Sequence, residues 1–313
     1  MLDPSIFPRS ADLNAAFNRR EPFRHVVFEP FFDPDFLARL LAEFPSFERG
    51  NARNEAGELG GKSTVERIRA LGPAFAELDD RIQSAEFLGL ISKITGIPNL
   101  LYDEHYFGGG THENRRGQDL DPHVDFNRHP ITGWHRRLNL IVYLNPQWDD
   151  AWGGSLELHS DPRREDNRIT LVTPLLNRAV IFETTEWSWH GFARIAPPAD
   201  RPELTRRSIA LYFYTVERPA EELADPHSTI YVDRKIPEHL TAAGRTLSEQ
   251  DQREIEIAII RRDQHIQRLY RDITRITSEL EGAKHTLEQV LSSGRLGRLR
   301  HAVRAILRML RRG

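Results

Sequence analysis

The chain has 313 residues, of which 39% are hydrophobic, and a formal net charge of -3. That length suits one sizeable core plus an appendage, and the near-neutral balance excludes a surface built throughout for nucleic acid. There is no cysteine, which excludes structural disulfides and thiolate metal sites. The first stretch, MLDPSIFPRSADLNAAF, has no basic segment followed by an apolar run, so the expectation is a cytoplasmic protein.

Residues 1–24 read as an irregular lead-in, and HVVFEPFF (25–32) as a short strand ending near Pro30. Asp33 is placed to cap a helix with Pro34 at its first position, with Phe36, Leu37, Leu40 and Leu41 as its apolar face. Asn51–Gly61 is rich in Gly, Asn and Glu and reads as a loop or flap. A second helical pattern runs from about Pro73 to Ile91. NLLYDEHYF (99–107) reads as a strand leading toward a site, and the glycines at 108–110 with HENRRGQDLD as a mobile approach to it.

His123-Val124-Asp125 follows. A strand residue and its second neighbour point to the same side, so His123 and Asp125 can ligate one ion from an extended segment. RRLNLIVYLN (136–145) alternates Leu138, Leu140, Val142 and Leu144 on one face with Asn139, Ile141 and Tyr143 on the other. Arg136 and Arg137 read as surface residues at the strand's start. Trp152-Gly153-Gly154 marks a tight turn. Glu157 and His159 are not expected to be ligands, and His105 reads as packing or surface. His190 comes after an apolar strand and would complete two imidazoles and one carboxylate, the facial triad of a non-haem Fe(II) site. Trp187 and Trp189 wall a substrate channel or pack against the barrel. In RRSIALYFYT (206–215), Ser208, Ala210 and Tyr212 share the parity of Arg206. A guanidinium there, beside small residues, can grip a carboxylate bidentately.

Beyond residue 216 a segment with several breakers leads to a heptad seam from about Ser248. It runs through Ile255, Ile259, Ile266, Leu269, Ile273, Ile276, Leu280, Ala283, Leu287 and Val290, with Arg262 interrupting it. A coiled-coil homo-oligomer and a helix packed along the barrel both use such a seam. After Ser292-Ser293-Gly294 comes an apolar stripe ringed by Arg298, Arg304, Arg308, Arg311 and Arg312. It reads as a basic amphipathic helix, either resting on an anionic membrane surface or folded back on the oligomer. No base-reading module accompanies it.

The ordered HxD, distal His and strand-borne R-x-S resemble the 2-oxoglutarate- and Fe(II)-dependent oxygenases, in particular their prolyl-hydroxylase-like branch, over roughly residues 20–216. The resemblance implies a mainly β fold with flanking helices, a double-stranded β-helix (jelly-roll) core carrying the C-terminal helical coiled-coil segment. It implies iron held by His123, Asp125 and His190, and 2-oxoglutarate as cosubstrate held by Arg206 of the Arg206-Arg207-Ser208 motif, with Tyr143, Tyr106 and Ser208 beside it. Ascorbate is the candidate reductant. The domain expectation is an oxygenase domain with supporting helices at 1–216, a linker at 217–247, a coiled coil at 248–292 and the basic helix at 293–313. The expected function is hydroxylation coupled to decarboxylation of 2-oxoglutarate to succinate. The substrate class stays open among peptidyl, small-molecule and glycan substrates, and the site of action extends to the inner face of a membrane. The alternative is a non-enzymatic β-helix module for binding or assembly, which would not require all four of His123, Asp125, His190 and Arg206.

Overall fold

A computed structural model describes residues 1–19, 21–53, 59–236 and 238–292. The expected basic helix at 293–313 lies outside them. The chain divides into two compact units, Met1–Arg234 and Lys235–Gly313.

The first unit begins with α1 (Ser10–Phe17), β1 (His25–Phe28) and α2 (Pro34–Glu43), followed by β2 (Asn51–Arg53), β3 (Leu59–Val65), α3 (Pro73–Ile82), α4 (Ala85–Thr95) and β4 (Leu101–Tyr102). The strands then run β5 (Gly110–Asn114), β6 (Leu120–Val124), β7 (His135–Tyr143), β8 (Leu156–His159), β9 (Ile169–Val172), β10 (Ala179–Glu183), β11 (Trp189–Phe192), β12 (Arg206–Thr215) and β13 (Ile230–Tyr231). They form two antiparallel sheets. The larger is ordered β1-β10-β7-β12-β5-β3-β2 with β4 also on β12, and the smaller is β13-β6-β11-β8-β9.

Period-2 alternation splits the core into two layers. Leu138, Leu140 and Val142 of β7 and Ile209, Leu211 and Phe213 of β12 pack against apolar residues of α1 to α4. Tyr143, Leu156, Leu158, Val172, Val180 and Phe182, drawn from both sheets, make a second cluster. The polar members of the inward face are left around a cavity beside that second layer.

Several local readings yield to tertiary pairing. Residues 1–24 contain a helix, because Leu13 and Phe17, one turn apart, bury against the main core. The Gly-rich stretch at 51–61 supplies β2 and the start of β3, which pair at Arg53↔Leu59, while β5 pairs the rest of β3 from Lys62↔Asn114 to Val65↔Thr111. The mobile approach expected at 108–121 likewise contains β5, held between β3 and β12. The helix expected from Pro73 to Ile91 is two helices, with Ser84 Oγ accepting from Phe87 N to start the second. Of the expected strand at 99–107 only Leu101–Tyr102 pairs. The compact unit also runs past residue 216, because Ile230–Tyr231 of the expected linker pairs with β6. Asp33 caps α2 as its sequence suggests, accepting from Asp35 N and Phe36 N.

In the second unit α5 (Glu238–Thr241) precedes α6 (Glu249–Ser292), a 44-residue helix. Ile259, Ile266, Leu269, Ile273, Ile276, Leu280 and Leu287 along it are all between 37% and 59% exposed. No helix among the described residues is long and apolar enough to cross a membrane.

A candidate metal centre beside an arginine pocket

His123 on β6 lies directly opposite His190 on β11, and Asp125 follows the end of β6. Their ligating atoms lie within 4.8 Å of one another. The imidazole centroids are 4.2 Å apart. Asp125 Oδ1 is 3.8 Å from His123 Nε2, and Oδ2 is 3.5 Å from His190 Nε2.

These three groups suit a divalent metal on their own chemistry. Each imidazole Nδ1 sits 2.9 Å from a backbone carbonyl two residues upstream, Asp121 O for His123 and Ser188 O for His190. That bond assigns the ring proton to Nδ1 and leaves the Nε2 lone pair for a metal. Burial, reinforced by the neighbouring His190, pushes the His123 pKa down to about 3. Burial also lowers His190, so both rings are neutral, the form that ligates. Burial acts to raise Asp125, but the charge of Arg136, helped by the Asn139 hydrogen bond, holds it below the ordinary carboxylate range and therefore ionised.

The triad opens into a cavity of about 190 Å³ between the sheets. Arg206, Ser208, Ala210 and Tyr212 of β12 all line it, as their shared parity requires. Arg206 is 4% exposed. Its Nε donates to Gly154 O at 2.7 Å and its Nη2 to Tyr143 Oη at 3.3 Å, and its guanidinium lies 4.3 Å from the Phe192 ring centre. Gly154 has φ +70°, and a Cβ there would meet the Arg206 side chain at 3.3 Å. The Gly-Gly turn thus allows the backbone to approach the guanidinium. Among the described residues Arg206 has no ion-pair partner. A buried cation without a counter-charge is costly, and a bound carboxylate would relieve that cost. Tyr143 stands behind Arg206, fully buried, and touches the pocket through the guanidinium rather than lining it.

Tyr106 does not reach this cavity. It takes a left-handed backbone, φ 50°, in a turn held by Asp103, which accepts from His105 N and Phe107 N. That turn directs the ring into the helix-facing core, where its hydroxyl donates to Asp79 Oδ1 at 2.8 Å beside Tyr102. The cosubstrate role expected of Tyr106 is therefore withdrawn. Tyr106→Phe should cost about 1.5–3 kcal/mol of stability, the range for a hydrogen bond to a charged group, and leave 2-oxoglutarate affinity unchanged, as denaturant titration and calorimetry on the same variant would read. A weakened affinity would return Tyr106 to the site.

His105 stacks on His129 away from the triad, at 5.6 Å. Glu157 and His159 pair with each other at 3.1 Å. Neither Trp187 nor Trp189 lines the cavity; Trp189 is buried under the Arg163 guanidinium and Trp187 is exposed.

Two groups at the site escape a strand-by-strand reading. Tyr231 of β13 pairs with His123, and its ring lies 5.1 Å from the imidazole at 31° while lining the cavity. Its strand is pinned by Val232 N to Pro122 O at 2.8 Å and by Arg234 Nη2 to Glu157 Oε2 at 2.6 Å. Arg136 is 1% exposed rather than on the surface, and it too lines the cavity. The ladder between β7 and β12 shifts register there, with Phe213 opposite Leu138 but Tyr214 opposite Arg136. The extra residue, Arg137, makes a bulge that turns Arg136 onto the face of Asn139. Arg137 instead meets Glu183 and Glu222, at 3.4 and 3.2 Å.

Residues 109–214 match the family model described as the 2OG-Fe(II) oxygenase superfamily. The chain is 26% identical over 227 residues to a prolyl 3,4-dihydroxylase OGFOD1 from Ostreococcus tauri, covering 68% of this chain and 41% of that protein. It is 25% identical to the prolyl 3-hydroxylase OGFOD1 of Mus musculus, covering 66% of this chain and 36% of that one. The chain thus spans well under half the length of these relatives. A prolyl hydroxylase from Trichoplax adhaerens, solved with a hypoxia inducible factor peptide fragment, superposes with a TM-score of 0.48 at 15% identity, over 68% of this chain and 93% of that one.

Proposed function

We propose that this chain, a member of the 2OG-Fe(II) oxygenase superfamily in its prolyl-hydroxylase-like branch, is a hydroxylase acting on a peptidyl substrate, with proline as the first residue to test. The two facing sheets are read as a double-stranded β-helix. The observation that carries the proposal is the joint occupation of one cavity by a His-Asp-His cluster and a buried arginine with no counter-ion among the described residues.

His123, Asp125 and His190 would hold Fe(II), and Arg206 the far carboxylate of 2-oxoglutarate. When bound, this pair would let dioxygen act as the oxidant, one oxygen atom entering a substrate C–H bond as hydroxyl and the other entering succinate as 2-oxoglutarate loses carbon dioxide. The chain's own residues do the rest. Two neutral imidazoles and one carboxylate leave three positions of an octahedral ion for other ligands. Arg206 orients a dicarboxylate by its distal end, with Tyr143 Oη and Gly154 O fixing the guanidinium plane. Leu156, Phe192 and Ile141 keep part of the wall apolar, which strengthens the arginine's hold by excluding water.

The deciding experiment is succinate formation by purified, Fe(II)-loaded protein over proline-containing peptides, with product mass analysis. A mass gain of one oxygen on peptide, lost in His123→Ala, is expected. Succinate formation coupled only to a small molecule or glycan would overturn the peptidyl assignment, and none with any class would overturn the hydroxylase.

We also propose that the exposed seam of α6 pairs with a second copy of the chain. Ile259, Ile266 and Ile273 recur every seventh residue, with Leu269 and Ile276 at the alternate seam position, and β-branched residues in the first set favour two strands. Glu279 and Lys284 fall at the flanking positions that meet across a parallel pair. Deleting residues 248–313 should lower the sedimenting mass to that of one chain. An unchanged assembly state would exclude the seam as its cause.

A further inference from the structure

The bulge in β7 brings two side chains onto one oxygen of the aspartate. Asn139 Nδ2 donates to Asp125 Oδ2 at 2.7 Å, and Arg136 Nη2 lies 3.2 Å from the same oxygen. Arg136 also binds Asn139, with Nε and Nη2 donating to its Oδ1 at 3.0 and 2.8 Å. The amide orientation is thereby set, with its oxygen toward the guanidinium and its NH2 toward the carboxylate. The guanidinium is held by aromatic faces, 3.6 Å from the Tyr212 ring centre and 4.5 Å from that of Phe126. Arg136 is 1% and Asn139 2% exposed, so these contacts are made out of water.

We propose that Arg136 and Asn139 are positioning residues that occupy Asp125 Oδ2 and present Oδ1 to the metal, restricting the carboxylate to ligation through one oxygen. This rests on reading His123, Asp125 and His190 as the metal site. A carboxylate with both oxygens unengaged can ligate through two, as in many oxygen-ligand sites. That would take one of the three positions a dicarboxylate cosubstrate and a third ligand require. Arg136 also supplies the positive charge that offsets burying the carboxylate, but the directional donor is Asn139, and the two roles separate experimentally.

The test uses metal-free full-length protein titrated with Mn(II) by calorimetry and loaded with Co(II) for visible absorption, which reports coordination number. The variants are Asn139→Leu, which keeps the volume and removes the donor, Arg136→Lys, which keeps the charge and loses the fork, and Asp125→Ala. Asn139→Leu should bind Mn(II) about 10–100-fold more weakly, the range of outer-shell partners. Its Co(II) spectrum should shift toward higher coordination, which loss of packing alone would not produce. Arg136→Lys should weaken Mn(II) binding while retaining more of it than Asp125→Ala. Wild-type affinity and spectrum in a folded Asn139→Leu protein would overturn the proposal while leaving the metal site standing. Equal Mn(II) binding by wild type and Asp125→Ala would overturn the metal site itself, and the positioning role with it.

Discussion

Arg206→Ala should weaken 2-oxoglutarate binding by about 2–5 kcal/mol, the usual cost of truncating one partner of a buried charge pair. The magnitude follows from the site's electrostatics. Burial pulls the Arg206 pKa down from its ordinary value, yet the side chain remains a cation at neutral pH because arginine starts so high. With no acidic partner among the described residues, an arriving carboxylate meets a charge that nothing has already neutralised. Arg206→Lys should recover only part of the loss, since an ammonium retains charge but cannot donate from the guanidinium's planar fork. Isothermal titration of the metal-loaded protein measures both, and metal affinity recorded in parallel separates this role from general damage. Alanine at 206 with unchanged cosubstrate affinity would assign the pocket's cation to other chemistry.

Removal of the triad has the other large effect. Metal bound to the folded state alone stabilises it by about 2.7 kcal/mol at a free concentration 100 times Kd, on the order of 5–10 °C in Tm for a domain of this size. Wild-type protein should show that rise with Mn(II), and chelation should reverse it. A chain with alanine at 123, 125 and 190 should show none. Its baseline stability also falls, because the buried Arg136 guanidinium then loses its contact with the Asp125 carboxylate. Asp125→Ala should therefore be the most destabilising of the three single changes, and His190→Ala, which removes a neutral ring, less so. Thermal melts with and without metal give both numbers. A metal-induced rise that survives in the triple variant would point to binding elsewhere.

The clustering of His123, Asp125 and His190 and the inward position of Arg206 were legible in one dimension because a strand's side-chain period is local. His123 and Asp125 needed only their spacing, and the parity of Arg206, Ser208, Ala210 and Tyr212 carries straight into the cavity wall. The helix cap at Asp33 is equally local. The family resemblance supplied what spacing alone does not, the selection of Arg206 over its neighbour and a cosubstrate contact for Tyr143, whereas the structure puts the Tyr143 hydroxyl on the Arg206 guanidinium behind the cavity wall.

What the tertiary structure decided is where local periodicity stops applying. The parity of β7 assigns Arg136 to the face of Leu138, but one unpaired residue, Arg137, reverses the direction of everything before it. A bulge is a property of two strands in register, and the sequence of one strand does not contain it. Tyr106 looks like any sheet aromatic until a turn built on Asp103 swings it toward Asp79. The Gly-rich stretch at 59–61 becomes strand because β2 pairs with β3 at Arg53↔Leu59 and β5 continues the ladder from Lys62, and Tyr231 becomes a pocket residue because β13 pairs with β6 beside His123. The sequence by itself determined which chemistry the chain can carry, through residue types at short fixed spacings. Hydrogen-bond partners many residues away decided which of the remaining polar side chains turn toward that chemistry, because backbone pairing across a sheet sets side-chain direction regardless of local composition.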